Sequence, residues 1–406
     1  MSLEIRQITD EEVEAAEFII SYSFNSPERR DLAKAVERSR KLYPASWSLA
    51  SFEDGEMTAF VRSIPFAVRI NGRGLSYAAV GPVVSLPQHR RKGHVGAILH
   101  QLLENMRENG QVLSGLHTPH PTLYQRYGWE IASLWRTFKF PPKDIQFKSE
   151  PKERGYIRML KADDWAQADR VYRQHSAKRN GALHRGEVWW REAIFGSGFS
   201  PDPSDVALWE DGSGEPQGYA VYVQPARPQE DMAQFWVREI VALTTDAYLN
   251  LLLYIVRHDL PREIAINAAP DDPFLSLVED ARHVKIEERY DLMNRIVDVE
   301  AALKLRPPAN RDLELEFTIQ LSDRSAPWNE GTWLVKQANG EVAVEKTDGE
   351  PNLTMSTTTL APLYNGFLTP TAAAFAGRVE ADSEESLAIA DAFFATLYPP
   401  FCSDGF

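Results

Sequence analysis

Three groups of residues in this 406-residue chain are of types that do chemistry. The first is basic: Arg90-Arg91-Lys92 lies between Pro87 and Gly93, and Gly96 follows three residues on. The second is a tyrosine-centred run, Leu123-Tyr124-Gln125-Arg126-Tyr127-Gly128-Trp129. The third is the apolar C-terminal run Pro399-Pro400-Phe401-Cys402-Ser403-Asp404-Gly405-Phe406, which holds the only cysteine. A helix that starts in a glycine-containing turn presents free N–H groups and the positive end of its dipole. Glycine there lets the backbone approach an anion without an intervening Cβ. With three cations at the same spot, residues 90–96 read as a cradle for a diphosphate. A neutral phenol, with a pKa near 10, is a proton donor for a leaving thiolate. The competing readings are plain ones: a solvated basic turn capping an ordinary helix, and a core tyrosine with a satisfied hydroxyl.

Five of the nine histidines fall between His89 and His120, including His117-x-x-His120. Metal ligation calls for a further carboxylate or cysteine at a recognisable spacing. None is visible, so no metal is expected, and these read as loop and core histidines. One cysteine excludes an internal disulfide framework.

The elements that must position these groups follow from periodicity. An apolar run from Tyr77 to Leu86, bounded by Gly72 and Gly74, reads as a buried strand. After Gly93 the apolar residues Val95, Ile98, Leu99, Leu102, Leu103 and Met106 keep a helical period, and Asn109-Gly110 ends it. Ahead of them lie a helix over Thr9–Ser21, a charged helix from Pro27 to Tyr43, and antiparallel strands over 48–70, where Ile64, Phe66, Val68 and Ile70 alternate. Gln111–His117 reads as a strand, Thr118–Pro121 as a turn and Thr122–Tyr127 as a single helical turn. The proline-bearing stretch 141–156 reads as a linker. Beyond it the order strand, turn, helix, strand recurs, with Thr244-Thr245-Asp246 capping a helix over 247–258, but the turn lacks arginines and glycines. Leu305–Asn310 marks a second boundary, followed by short strands and two helices. The fold class is therefore α/β (α+β), divided as 1–150, 151–302 and 303–406.

A net charge of −14 argues against nucleic acid as a partner. Residues 301–406 carry 15 acidic and 7 basic side chains, a bias that favours cationic substrates near an active site. No run is long and apolar enough for a membrane span, and the N-terminus lacks a signal-peptide pattern, so a cytoplasmic location is expected.

Pro87 to Gly93 reproduces Pro-x-His-Arg-Arg-Arg/Lys-Gly, and this resembles the acetyl-CoA motif of a branch of the GNAT N-acetyltransferases. Val95 stands where the wider family has Gly or Ala, and Gly96 comes one residue late. Leu123 to Trp129 resembles that branch's Leu-Tyr-x-Arg-Phe/Tyr-Gly-aromatic segment. With the aromatic last residue and the three-part organisation, the chain is similar to the enhanced intracellular survival (Eis) acetyltransferases. That resemblance implies two GNAT-like domains, the second degenerate, and a C-terminal sterol-carrier-protein-like domain. It implies acetyl-CoA as co-substrate, held by the strand at Val83, Val84 and Ser85, the turn Arg90, Arg91, Lys92, Gly93, His94, Val95 and Gly96, and by Pro119 and His120. It implies Tyr124 as general acid and the carboxylate of Phe406 as general base, whose unperturbed pKa near 3.5 calls for desolvation or a relaying water. It also implies a polyamine or aminoglycoside acceptor, with Phe24, Trp47 and Asp404 as candidate contacts, and a homohexamer. Other readings stay open: a lysine-peptide acetyltransferase, a non-catalytic binder of apolar ligands, and Cys402 as a nucleophile, though no histidine lies near it in sequence.

Overall fold

Two short turns set the first sheet. Asp54-Gly55 and Asn71-Gly72 both adopt positive φ, at 50° and 87° and at 44° and 86°, the geometry of two-residue hairpin turns. They join β2 (Ser48–Glu53) to β3 (Glu56–Ile70) and β3 to β4 (Arg73–Ser85), while β1 (Leu3–Gln7) pairs with the outer edge of β2. The chain then crosses over to β5 (Leu113–His117), parallel to β4, and later adds β6 (Glu130–Ile131). This computed structural model describes residues 3–24, 31–196, 203–224, 234–258, 261–290 and 292–406.

Helices cover both faces of the sheet. α1 (Val13–Ser23) and α2 (Leu32–Leu42) enclose Ile19, Val36, Phe52, Phe60 and Val84 on one side. α3 (His94–Glu108) buries Ile98, Leu99, Leu102, Leu103 and Met106 against Val61, Val80 and Leu116 on the other. α2 is the helix expected from Pro27; residues 25–30 lie outside the described residues. A single turn, α4 (Pro121–Gln125), follows β5.

The chain forms two compact units. Unit 1 comprises the described residues of Met1–Ala132, Asp291–Leu397 and Phe406; unit 2 comprises those of Ser133–Tyr290 and Tyr398–Gly405. Leu292–Ile296, expected in the second domain, lies in the unit 1 sheet between β5 and β6, antiparallel to both. There both edges of its backbone are paired and Leu292, Met293 and Ile296 are buried, which an independent linear domain would not provide. Leu134–Phe140, expected in the first domain, is a strand of unit 2 between Lys285–Tyr290 and Glu263–Ala268.

Unit 1 also contains a five-stranded sheet ordered Glu341–Thr347, Gly331–Ala338, Leu315–Ser322, Leu353–Ser356, Glu380–Ala381. Phe317, Phe393 and Phe394 pack ring on ring inside it. Arg306, fully buried, donates to the carbonyls of Tyr364, Phe393 and Phe394 at 2.9, 2.6 and 2.8 Å, where two helices end, and burial brings its pKa down to about 10. The Arg295–Asp323 ion pair at 2.7 Å is buried beside Gly128, whose missing Cβ leaves room for the guanidinium. No helix among the described residues is long and apolar enough to cross a membrane.

Unit 2 repeats the strand–helix–strand order around a seven-stranded sheet in which Gln234–Val237 runs parallel to Glu263–Ile266. Its helix Thr245–Val256 is capped by the Thr244 hydroxyl, which accepts from Ala247 N at 3.1 Å, and Asp246 adds an acidic first turn. That N-terminus is occupied by its own cap and carries negative charge, so it is unsuited to a phosphate.

Deeper in unit 2, Arg185 bonds both oxygens of Glu239 at 2.7 and 2.8 Å and those of Asp404 at 2.9 and 3.1 Å. Burial pushes Glu239 up, but Arg185, helped by Ser403 and Tyr219, holds it down at about 2. Ionised Glu239 therefore stabilises unit 2 fully above about pH 4.5, and that contribution, of about 3 kcal/mol, is lost as pH falls toward about 2. Arg185→Met removes the guanidinium that bonds both buried carboxylates, leaving Arg238 as a more distant cation, and costs about 3–5 kcal/mol at neutral pH. Its pH dependence should invert: thermal unfolding of the variant shifts upward on acidification, whereas the native chain shifts downward.

Candidate active site

β4 and β5 pair only from Tyr77–Leu113 to Val80–Leu116, and β4 then continues to Ser85. Its register with β3 shifts between Val61 and Ser63, so that Val83, Val84 and Ser85 face Val61, Phe60 and Ala59. On the β5 side no strand pairs with those three residues among the described residues. The splay leaves a strand edge able to take an extended, amide-bearing ligand as a further strand would be taken. Val84 points into the core, while Val83 and Ser85 are half-buried on the opposite face.

Past Ser85 a 3-10 turn, Pro87–His89, leads into Arg90, whose Nε donates to the Ser85 carbonyl at 3.3 Å. Arg91 (φ 62°) and Gly93 (φ 90°) both turn left-handed and curl the chain into the start of α3. Gly93 has no side chain to cap the helix, so the first-turn N–H groups at His94, Val95 and Gly96 are not taken by a side-chain cap. Arg90, Arg91 and Lys92 are exposed around them. From the sequence an anion cradle is expected at this turn, and two of its residues have other commitments. His94 contributes only its backbone, because its imidazole is buried against Thr58. The space over the Gly96 Cα belongs to the Tyr127 hydroxyl, so that glycine serves helix packing rather than ligand approach.

At the far end of the splay, α4 carries Tyr124, 7% exposed and packed in the same core cluster as α3. Burial pushes its phenol up to about 12, against the Thr118 hydrogen bond that lowers it. Pro119 and His120 are exposed in the turn ahead of it, where His120 N donates to the Thr118 hydroxyl at 2.9 Å. Trp129 is a core residue, fully buried with Nε1 3.3 Å from Ser114 Oγ.

Phe406 lies in unit 1, 8% exposed. Its ring packs 4.8 Å from His117 and 6.3 and 6.5 Å from Phe66 and Tyr77. Its main-chain oxygen and carbon sit over Gly81, 3.0 and 3.2 Å from where a Cβ would stand. Gly81 and His117 were not predicted as site residues, although a glycine inside an apolar strand signals a close backbone approach. Of the candidate acceptor contacts, Phe24 is exposed and Trp47 half-buried. Asp404 is 2% exposed in unit 2 and committed to Arg185 and Trp189, which removes it from that role. Cys402 is buried there too, its sulfur 3.7 Å from the Asp404 carbonyl, a poor setting for a nucleophile.

Family models match this geometry in three places. Residues 4–132 and 181–296 each match an acetyltransferase (GNAT) domain, and 299–403 match a sterol carrier protein domain. N-acetyltransferase Eis of Mycobacterium tuberculosis is 26% identical over 345 residues, covering 83% of this chain and 81% of that one. An N-acetyltransferase of Streptomyces coelicolor is 28% identical over 392 residues, covering 92% and 93%. The chain is a GNAT N-acetyltransferase homologous to the Eis enzymes. Among solved structures, Eis1 of Mycobacterium abscessus superposes with a TM-score of 0.83 at 25% identity, covering 99% of this chain and 100% of that one. A GCN5-related N-acetyltransferase of Anabaena variabilis has the same fold, with a TM-score of 0.88 at 20% identity over the whole of both chains.

Acetyl-CoA is the co-substrate of GNAT enzymes, and the residues present suit it. The free β4 edge fits the amides of its pantetheine arm, and the uncapped α3 N-terminus with three cations fits its pyrophosphate. A Cβ on Gly93 would meet nothing within 4 Å, so Gly93→Ala tests the left-handed backbone alone. We expect it to raise KM for acetyl-CoA about tenfold, the equivalent of about 1.4 kcal/mol, with kcat little changed in steady-state kinetics.

Proposed function

We propose that the enzyme acetylates primary amines of small polycationic acceptors, aminoglycosides among them, by direct transfer from acetyl-CoA. The supporting observation is a juxtaposition at the end of β5. His117 packs against Phe406, and its chain neighbour Thr118 hydrogen-bonds Tyr124, so a carboxylate and a phenol flank the splay. In this reading the terminal carboxylate of Phe406 takes a proton from the acceptor ammonium, directly or through water. The amine nitrogen then bonds to the thioester carbonyl carbon, backbone N–H groups of β4 stabilise the oxyanion, and the C–S bond breaks. Nitrogen loses two protons overall; one reaches sulfur through Tyr124 and the other leaves to solvent. The net acidity of the chain, −14, favours cationic acceptors, and the same resemblance assigns a homohexamer, checked by light scattering.

The test is thiol release from acetyl-CoA with a panel of aminoglycosides and lysine peptides, the products identified by mass. Turnover of tobramycin, competed weakly by peptides, supports this reading. Turnover of peptides with none of aminoglycosides would replace it with a protein-lysine acetyltransferase.

A further inference from the structure

Three ligand-type side chains converge beside the anion cradle, and acetyl transfer uses none of them. Glu53 ends β2, His89 ends the Pro87–His89 turn, and His94 opens α3. Glu53 Oε2 lies 3.4 Å from His89 Nδ1, and Glu53 Oε1 lies 3.4 Å from His94 Nε2. All three donor atoms fall within 4.8 Å of one another. Sequence spacing shows no carboxylate for these histidines, because Glu53 lies beyond the β3–β4 hairpin and reaches them only through the sheet.

One imidazole nitrogen on each histidine makes no hydrogen bond. His94 Nε2 and His89 Nδ1 are buried and have no hydrogen-bond partner, and the His94 side chain is only 3% exposed. On its other side His94 Nδ1 is 3.1 Å from the Thr58 hydroxyl, and Thr58 donates to the Ser51 carbonyl at 3.1 Å. Thr58 Oγ1 is also 2.7 Å from the Ser51 hydroxyl. With its one proton given to Ser51, Thr58 accepts from His94 Nδ1–H, the tautomer in which Nε2 aims a lone pair at a carboxylate. Two acceptors facing each other call for a cation between them. The two 3.4 Å contacts, one to each Glu53 oxygen, are long for a proton-bridged contact, and one donor atom from each residue lies within 4.8 Å of the other two, a span that an ion with bonds of about 2.0–2.1 Å closes by small side-chain rotations. Lys92 Nζ, 3.5 Å from Glu53 Oε2 and half-exposed, is the other cation facing the group.

We propose that Glu53, His89 and His94 form a three-ligand site for a divalent transition-metal ion, Zn²⁺ by donor set, with the fourth position open to water. Thr58 orients His94 from behind, as an outer-shell partner does. Because the histidines flank the Arg90–Gly93 loop and Glu53 belongs to the β2–β3 hairpin, the ion staples both ends of the cradle to the sheet. This assignment stands apart from the acceptor and the acid–base roles proposed above.

The test uses the full chain with Co²⁺ as a spectroscopic stand-in. One equivalent should develop the visible d–d bands of a four- or five-coordinate ion, without the near-ultraviolet thiolate band that Cys402 would give, and Zn²⁺ should bleach them. Glu53→Gln and His89→Gln should each weaken Co²⁺ binding by more than about 100-fold, beyond the 10–100-fold of an outer-shell change. Each variant is first matched to the native chain by thermal unfolding without metal. Zn²⁺ should raise the unfolding midpoint of the native chain and leave that of either variant unmoved. Absence of visible bands at millimolar Co²⁺ overturns the proposal. So do bands that persist undiminished in both variants, since they would place the ion on other residues.

Discussion

Tyr124→Phe should lower kcat at least about 100-fold while leaving KM for acetyl-CoA within about twofold. The substitution keeps the ring in its buried slot among the α3 core and deletes one oxygen, so packing is conserved. The deleted group is the proposed proton donor, and positioned acid catalysis contributes roughly 10²–10⁴-fold. Only the Thr118 hydrogen bond is lost from the folded state, so thermal unfolding should move by a few degrees at most. A kcat within about fivefold of native would remove Tyr124 from the mechanism and leave sulfur to take its proton from water.

The pH profile carries a second part of that expectation. Burial pushes the Tyr124 phenol up to about 12, so it remains protonated throughout the alkaline range in which the fold survives. Tyr124 therefore gives kcat no alkaline limb below about pH 11. A proton moving from a phenol at about 12 to a thiolate near 8.5 moves uphill. Tyr124 then acts by hydrogen-bonding sulfur as the C–S bond lengthens, with transfer completed together with loss of the amine proton. No phenolate accumulates, which single-turnover absorbance in the tyrosinate band can check.

What the sequence revealed and what it hid divide along contact distance. The turn from Arg90 to Gly96 and the helix it starts were legible because they are one local strand–turn–helix, and α4 because it follows β5 directly. The second strand–turn–helix copy was legible as well, and residues 181–296 match a GNAT domain, with a helix that starts at a Thr244 cap in place of the Arg-Arg-Lys-Gly turn. The contacts that escaped join distant segments. Leu292–Ile296 falls within the expected second domain, 151–302, and nothing near it in sequence announces its two partners, β5 and β6. Asp404 reads as an acceptor carboxylate because nothing near it in sequence announces Arg185. Gly96 and Gly128 read as ligand or turn glycines, yet each makes room for a side chain from elsewhere, Tyr127 and Arg295. Glycine records that space is needed without recording what fills it.

Gly81 is the position where that ambiguity has the largest functional consequence. An added Cβ would stand 3.0 Å from the Phe406 oxygen and 3.2 Å from its carbon, closer than ordinary van der Waals contact. The neighbour is main chain rather than the end of a flexible side chain, and the Phe406 ring is held by His117 at 4.8 Å. Gly81→Ala should therefore displace the proposed base by a few tenths of an ångström and lower kcat about tenfold, given how steeply transfer depends on placement. Extending the chain past Phe406 by two residues removes the carboxylate outright, and kcat should fall at least about 100-fold. The two changes act on one group, so the extended chain carrying Gly81→Ala should be no slower than the extended chain alone. Additive losses would mean that Gly81→Ala damages the β4 edge for acetyl-CoA instead, and KM for that substrate would then carry the effect. Native turnover in the extended chain would exclude the Phe406 carboxylate and return the proton to solvent or to His117, whose imidazole packs against that ring.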